Sequence, residues 1–176
     1  MDIYTIGHSN HTWETFLGLL KDIGIQLLVD IRSRPYSRWA VFANKTRLPA
    51  LLASENIEYA FMGDSLGGKP SDRMFYGADG LPDYALTAES ESFQRGLKQL
   101  IALARRSTTA IMCSEEDPSK CHRHLLIGPT LEEAGVGELH IRKDGAVLTS
   151  EALGPKGSRR EAIRGEFPMP VSSESL

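Results

Sequence analysis

The sequence is poor in cysteine: Cys113 and Cys121 are the only two in 176 residues. Two are too few for the disulfide framework of a small secreted scaffold, so both are read as free thiols of a reducing, cytoplasmic compartment. Long apolar runs are also missing. None reaches the roughly 18 residues that cross a bilayer. The start, MDIYTIGHSN, has neither the basic region nor the apolar stretch of a secretory signal. No membrane partner is therefore expected. An excess of positive charge is lacking as well. The net charge is -3 and the pI about 6.0, which speaks against a wholesale polyanion binder. Neither G-x-x-x-x-G-K-[ST] nor G-x-G-x-x-G occurs. That excludes a P-loop and a dinucleotide fingerprint, and no cofactor is expected. Internal repeats and low-complexity blocks are absent too.

What is present is the pattern of one α/β domain. At this length about two-thirds of the chain's surface can be buried, enough for a self-sufficient core. Ile3-Tyr4-Thr5-Ile6 reads as a strand stopped by Gly7. Ser9, Asn10 or Thr12 can cap the next helix, on which Trp13, Phe16, Leu17, Leu20 and Ile23 recur at helical spacing up to Gly24. Residues 26–31 are nearly all apolar, as in a strand covered on both faces. Pro49 opens a short helix with Leu48, Leu51 and Leu52, and residues 57–61 form a third strand. Residues 63–80 are rich in Gly, Asp, Ser and Pro and predict a long loop. A helix over about 90–105 leads to a fourth strand, 109–113.

Asp117 and Pro118 predict the cap and first residue of another helix, running through Leu125, Leu126 and Ile127, which Pro129 should kink or end. Residues 137–141 form a fifth strand, and Asp144-Gly145 turns into a return strand at 146–148, a C-terminal β-hairpin extension. The expected domain spans 1–153, with 154–176 a flexible C-terminal tail. Alternating strands and helices imply a three-layer sandwich around a mostly parallel, Rossmann-like sheet. Right-handed crossovers place the strand carboxyl ends on one edge, where ligands bind.

Four polar clusters follow predicted parallel strands: Gly7 to Asn10; Asp30 with Arg32, Ser33, Arg34, Pro35 and Arg38; Leu66 to Lys69; and Cys113, Glu115, Glu116 and Asp117 with Cys121-His122-Arg123. Topology can bring all four to one edge. A helix starting at Pro118 would place Cys121 near its amino end, where free amides and partial positive charge favour a thiolate, and Arg123 would add to that. Such a thiolate is a nucleophile, and a histidine beside it a proton donor or acceptor. The plainer alternative is a packed thiol and an exposed helix charge. Asp30 can act as a base, or form an ion pair that ties down the loop after its strand.

Arg32, Arg34, Arg38, Lys45 and Arg47 make a basic run, and guanidinium groups grip phosphate or carboxylate in pairs of bonds. Arg32 and Arg38 are the stronger candidates. His8, Ser9 and Asn10 lie between a strand and a helix start, where backbone amides welcome an anion. Ser9 can equally be a simple cap. Gly67-Gly68 can admit a ligand close to the backbone, or be an ordinary turn. Cys113, Cys121, His122, His124 and His8 are all possible metal ligands. Their spacing is not that of a zinc ribbon or finger, and no metal is expected.

The TIGHSN opening, the D-I-R-S-R-P-x-S-R segment, the L-G-G loop and the M-C-S-E-E-D-P-x-x-C-H-R segment together resemble the family named domain of unknown function 488. The resemblance covers roughly residues 3–141. It implies an α/β fold with Rossmann-like layering and supplies no established activity. Members of the family continue the helix after C-H-R without a break, and Gly128-Pro129 departs from that pattern.

Two functions follow from these residues. The first is a small enzyme, a hydrolase or group transferase, acting on an anionic substrate, with nucleotide-derived anions among the candidates. Cys121, His122, Asp30, His8 and Glu115 would supply the chemistry, and Ser9, Asn10, Arg32, Arg38, Gly67, Gly68 and Arg123 would bind the substrate. The alternative is a non-catalytic module that binds phosphate or a nucleic-acid fragment through the same arginines and turns. A weaker third reading makes the 63–80 loop and the tail contacts for a protein partner. The oligomeric state is left open.

Overall fold

A computed structural model describes residues 1–153; the expected tail, 154–176, lies outside the described residues. Among the described residues six strands form one sheet: β1 (Asp2–Gly7), β2 (Leu27–Asp30), β3 (Glu58–Phe61), β4 (Thr109–Cys113), β5 (Gly137–Ile141) and β6 (Val147–Thr149). Their order is β3-β2-β4-β1-β5-β6. The first five are parallel, and β6 returns antiparallel on β5. The α/β class, the parallel sheet and the terminal hairpin all match the sequence reading.

Side chains alternate between two cores, as strand geometry requires. Tyr4, Ile6, Leu28, Ala110 and Met112 face α1 (Trp13–Ile23) and α2 (Leu48–Ser54), packing with Phe16, Leu20, Leu48 and Leu52. Ile3, Leu27, Val29 and Ile111 face the opposite layer, with Phe93, Leu97 and Leu100 of α5 (Glu91–Ala104) and Leu131 of α6 (Gly128–Glu133). The result is helix, sheet, helix.

Local signals explain most boundaries. Thr12, not Ser9 or Asn10, caps α1 by accepting the Thr15 amide, and Gly24 ends it at a φ of 75°. Ser90 caps α5 through the Phe93 amide. Three segments differ from expectation. The predicted 63–80 loop begins with a short helix, α3 (Gly63–Leu66). A further helix, α4 (Tyr84–Glu89), is capped by Asp83 on the amides of Ala85 and Leu86. It buries only Tyr84 and Thr87, too little to leave a periodic pattern. The predicted helix from Pro118 is instead a single 3₁₀ turn, Pro118–Lys120, followed by a π-helical turn, Arg123–Ile127. Pro129 neither ends nor kinks it. It lies in the first turn of α6, where its missing amide hydrogen costs nothing.

The chain leaves β1 toward β2, passing over β4, and leaves β4 toward β5, passing over β1. These adjacent strands therefore send their connections in opposite directions. That is a topological switch point, where open sheets of this kind form a crevice. Gly7 and Cys113 are register partners at the ends of the two strands, and Asp30 pairs with Met112 one strand further on.

Candidate functional site

Asp30 ends β2 at zero exposure and holds Arg32 from two sides. Arg32 Nε donates to Asp30 Oδ1 at 2.9 Å and Nη2 to Oδ2 at 2.7 Å. The Arg32 amide and the Tyr59 hydroxyl also donate to this carboxylate. Burial and the Asp30 charge push the Tyr59 phenol well above its usual range. Arg32 Nη2 reaches the Ala43 carbonyl as well, so the pair pins the loop after β2. Nη1 of the same guanidinium is buried without a hydrogen-bond partner among the described residues.

His8 follows β1, and its amide bonds the Cys113 carbonyl at 2.9 Å. Its Nδ1 lies 2.9 Å from the Ser9 carbonyl, which can only accept, so Nδ1 carries the proton in this contact. Nε2 is then a bare lone pair, and it too is buried without a partner among the described residues. Burial lowers the His8 pKa, and the Arg32 charge lowers it further. His8 is thus a neutral imidazole with an unused acceptor.

Three further groups meet beside the end of β4. His122 Nε2 lies 3.1 Å from the Ile31 carbonyl and must donate to it. That leaves His122 Nδ1 facing two thiols, Cys113 Sγ at 3.5 Å and Cys121 Sγ at 3.7 Å. The two thiols lie side by side, and their acidities separate. A hydrogen bond from Cys121 holds Cys113 well below the ordinary thiol range, against burial and with help from the charges on His122 and Arg123. Burial raises Cys121, and the neighbouring Cys113 raises it further. The expectation of a low-pKa Cys121 is corrected here. Cys121 does not sit inside the first turn of a helix. It is an extended residue between two turns (φ -120°, ψ 145°), and Cys113 is the acidic thiol. The donor atoms of Cys113, Cys121 and His122 all lie within 4.8 Å of one another, a set that can also hold a thiophilic cation.

The Cys121 carbonyl accepts from the His124 and Leu125 amides and so starts the helical turn, in which successive side chains point about 100° apart. His122 points to the thiols. Arg123, at zero exposure, donates from Nη1 and Nη2 to the carbonyls of Glu115 and Glu116. Its guanidinium therefore shapes the loop after β4. That loop also closes over β1: a methyl group on Gly7 would lie 1.9 Å from the Glu115 carbonyl oxygen.

A pocket of about 170 Å³ opens over the thiols. Its buried lining comprises Cys113, Cys121, His122, Arg32 and Gly68, and its exposed lining Arg34, Lys69, Lys120 and Glu115, with Ser33 and Ser114 in between. Four cations face one carboxylate. Gly68 has no room for a side chain, because a Cβ there would stand 2.5 Å from the His122 ring. Gly67 packs against Ser33, whose hydroxyl accepts the Lys69 amide.

Of the residues expected at the site, Cys121, His122, Arg32, Gly68 and Glu115 line this pocket. Asp30 and Arg123 lie behind it, holding Arg32 and the Glu115 carbonyl. His8 lies close enough to Arg32, Asp30 and Cys113 to feel their charges. Ser9 and Asn10 bond each other at 3.3 Å and do not line the pocket. Neither does Arg38, which is exposed and lies over the Trp39 ring. Arg34 and Lys69, named in the polar clusters but not chosen as site residues, also line it, and Lys120 and Ser114 were missed. Each is an exposed or half-buried loop residue without periodicity, and only its nearness to a strand end hinted at it.

A family model described as Domain of unknown function DUF488 matches residues 12–128, most of the segment between β1 and α6. Neither the curated proteins nor the solved structures contain a match to the chain.

Proposed function

The chain belongs to the DUF488 family, a domain of unknown function, and from that premise we propose that it is a small thiol enzyme, a hydrolase or group transferase for an anionic substrate, nucleotide derivatives being one class of such anions. The observation that carries this reading is the meeting of two thiols and one imidazole nitrogen under a pocket with four cations. A thiolate held low by its neighbours is a ready nucleophile. Cationic walls raise the local concentration of an anion and neutralise it where it sits.

In this mechanism Cys113 Sγ attacks the electrophilic atom of the substrate. A sulfur-linked intermediate forms as the bond to the leaving group breaks. His122 Nδ1, having taken the Cys113 proton, gives it to that leaving group. His8 Nε2 serves as the base for the second step. It takes a proton from the water, or from the acceptor in a transferase, that cleaves the intermediate and releases Cys113 as thiolate. Arg32 Nη1 receives the anionic group. Asp30 and Arg123 are positioning residues, since they act on Arg32 and on the loop after β4.

Alkylation by iodoacetamide, followed against pH with the modified residue located by mass spectrometry, tests the nucleophile. Cys113 should react at pH values well below the roughly 8.5 of a free thiol. Cys113→Ser should abolish the reaction and lower turnover of a phosphorylated test substrate about a thousandfold or more. Anion binding that persists in Cys113→Ser, is lost in Arg34→Ala and Lys69→Ala, and comes with no turnover in the parent chain would sink the catalytic reading and leave a binding module.

A further inference from the structure

A second cluster, which shares no residue with the pocket lining, draws on the same π turn through His124. His124 leaves that turn toward β5, where Glu138 and His140 share a face of the sheet. All three are almost completely buried, at 1%, 5% and 0% exposure. His124 Nδ1 is 3.4 Å from Glu138 Oε2, and His140 Nε2 is 3.5 Å from the same oxygen. The three donor atoms all lie within 4.8 Å of one another.

From this geometry we propose that His124, Glu138 and His140 form a structural site for a divalent transition-metal cation of the zinc class. Four observations carry it. A tetrahedral cation with bonds of about 2.0–2.1 Å has ligand atoms roughly 3.4 Å apart, which is the spacing of both histidine–carboxylate pairs. His140 is oriented from behind: Thr5 Oγ1 of β1 lies 2.7 Å from its Nδ1, which turns Nε2 toward Glu138, as the outer partners of metal-bound histidines do. Glu138 Oε1 is buried with no hydrogen-bond partner among the described residues, while Oε2 is crowded by both imidazoles and by the Ser150 hydroxyl at 2.7 Å. No lysine or arginine pairs with Glu138 among the described ion pairs, so this buried carboxylate has a dication's place beside it.

Two nitrogens and a carboxylate without sulfur suit zinc, iron or manganese. Three protein donors leave a fourth position on a tetrahedral cation, and the Ser150 hydroxyl stands beside it, 3.2 Å from His140 Nε2 and 2.7 Å from Glu138 Oε2. Burial of all three donors shuts the site off from solvent and from any substrate, which makes its role structural. The cation ties together β1, β5, the π turn and the turn at Ser150–Leu153. The three-residue edge strand β6 is thereby anchored, and His122 and Arg123 gain a fixed neighbour in His124. The proposal is independent of the thiol chemistry, because the two clusters share no donor.

The chain carrying both Cys113→Ser and Cys121→Ser, purified in Zn²⁺ and desalted, separates the clusters. It should retain one zinc per chain, and Glu138→Gln or His140→Gln in that background should retain none. Zinc-free protein of this background, or zinc kept undiminished by Glu138→Gln, overturns the proposal. Co²⁺ on the intact chain gives a second readout that needs no variant. Visible ligand-field bands without a thiolate charge-transfer band in the near ultraviolet support the nitrogen–oxygen site. A charge-transfer band that accounts for all the cobalt bound, or no cobalt binding, overturns it.

Discussion

Asp30 carries two very different burdens at the scale of a single residue. A carboxylate at the end of a parallel strand invites a catalytic reading, yet both of its oxygens are engaged, by Arg32 and by Tyr59. The side chains of the pair are exposed by only 0% and 2%, so each ion is the other's main compensation for lost water. Removing one partner strands the other as a buried charge. Asp30→Ala should therefore lower unfolding stability by about 3–5 kcal/mol in urea melts. It should also loosen the loop that Arg32 holds at Ala43, visible as faster amide exchange there. Unchanged stability would mean that Arg32 finds solvent or another anion. Its spare Nη1 fits the same logic. Asp30 aims the guanidinium, and the free corner is what remains for a ligand.

Elements were legible to very different degrees. The five parallel strands stood out because burial on both faces writes them as apolar runs, and Thr12, Gly24, Pro49 and Ser90 mark helix ends by ordinary capping chemistry. The segment after Asp117 could not be read the same way. Asp-Pro caps a 3₁₀ turn as well as an α-helix, and an i→i+5 turn has no sequence period of its own. Yet this element decides the site. It sends His122, Arg123 and His124 to three different surroundings in three residues, and because the turn starts after Cys121 and not at Pro118, those directions could not be read from the sequence. Arg123 is its anchor. Arg123→Met fills the space but leaves the carbonyls of Glu115 and Glu116 without these donors, at roughly 1–3 kcal/mol for each buried group. We expect a loss of about 3 kcal/mol by chemical denaturation. The rate advantage of Cys113 in alkylation should fall with it, because the Arg123 charge also favours the thiolate. Full stability in this variant would show that water replaces the guanidinium.

For the whole molecule, the decisive fact is that four separated stretches end on one edge. That followed from strand order alone, and the sequence could suggest it through βα alternation. It could not say which loop side chains turn inward, so Arg38 was preferred to Arg34, nor which of two thiols yields its proton, since that depends on a neighbour eight residues away. His8 links this edge to global stability. Its pKa in the folded chain is lowered, first by burial and then by Arg32, from an unfolded value of 6.5. Below pH 6.5 the unfolded chain therefore takes up a proton that the folded chain refuses. This contribution destabilises the fold progressively as pH falls from 6.5 to the folded pKa, and then levels off. Urea midpoints between about pH 7.5 and 5 should fall with acidity, and His8→Gln should flatten part of that slope. A remainder should persist, because burial lowers His11 in the same direction. Equal slopes in parent and variant would mean that His8 titrates normally, and the neutral base assigned to the second half of the reaction would be lost with it.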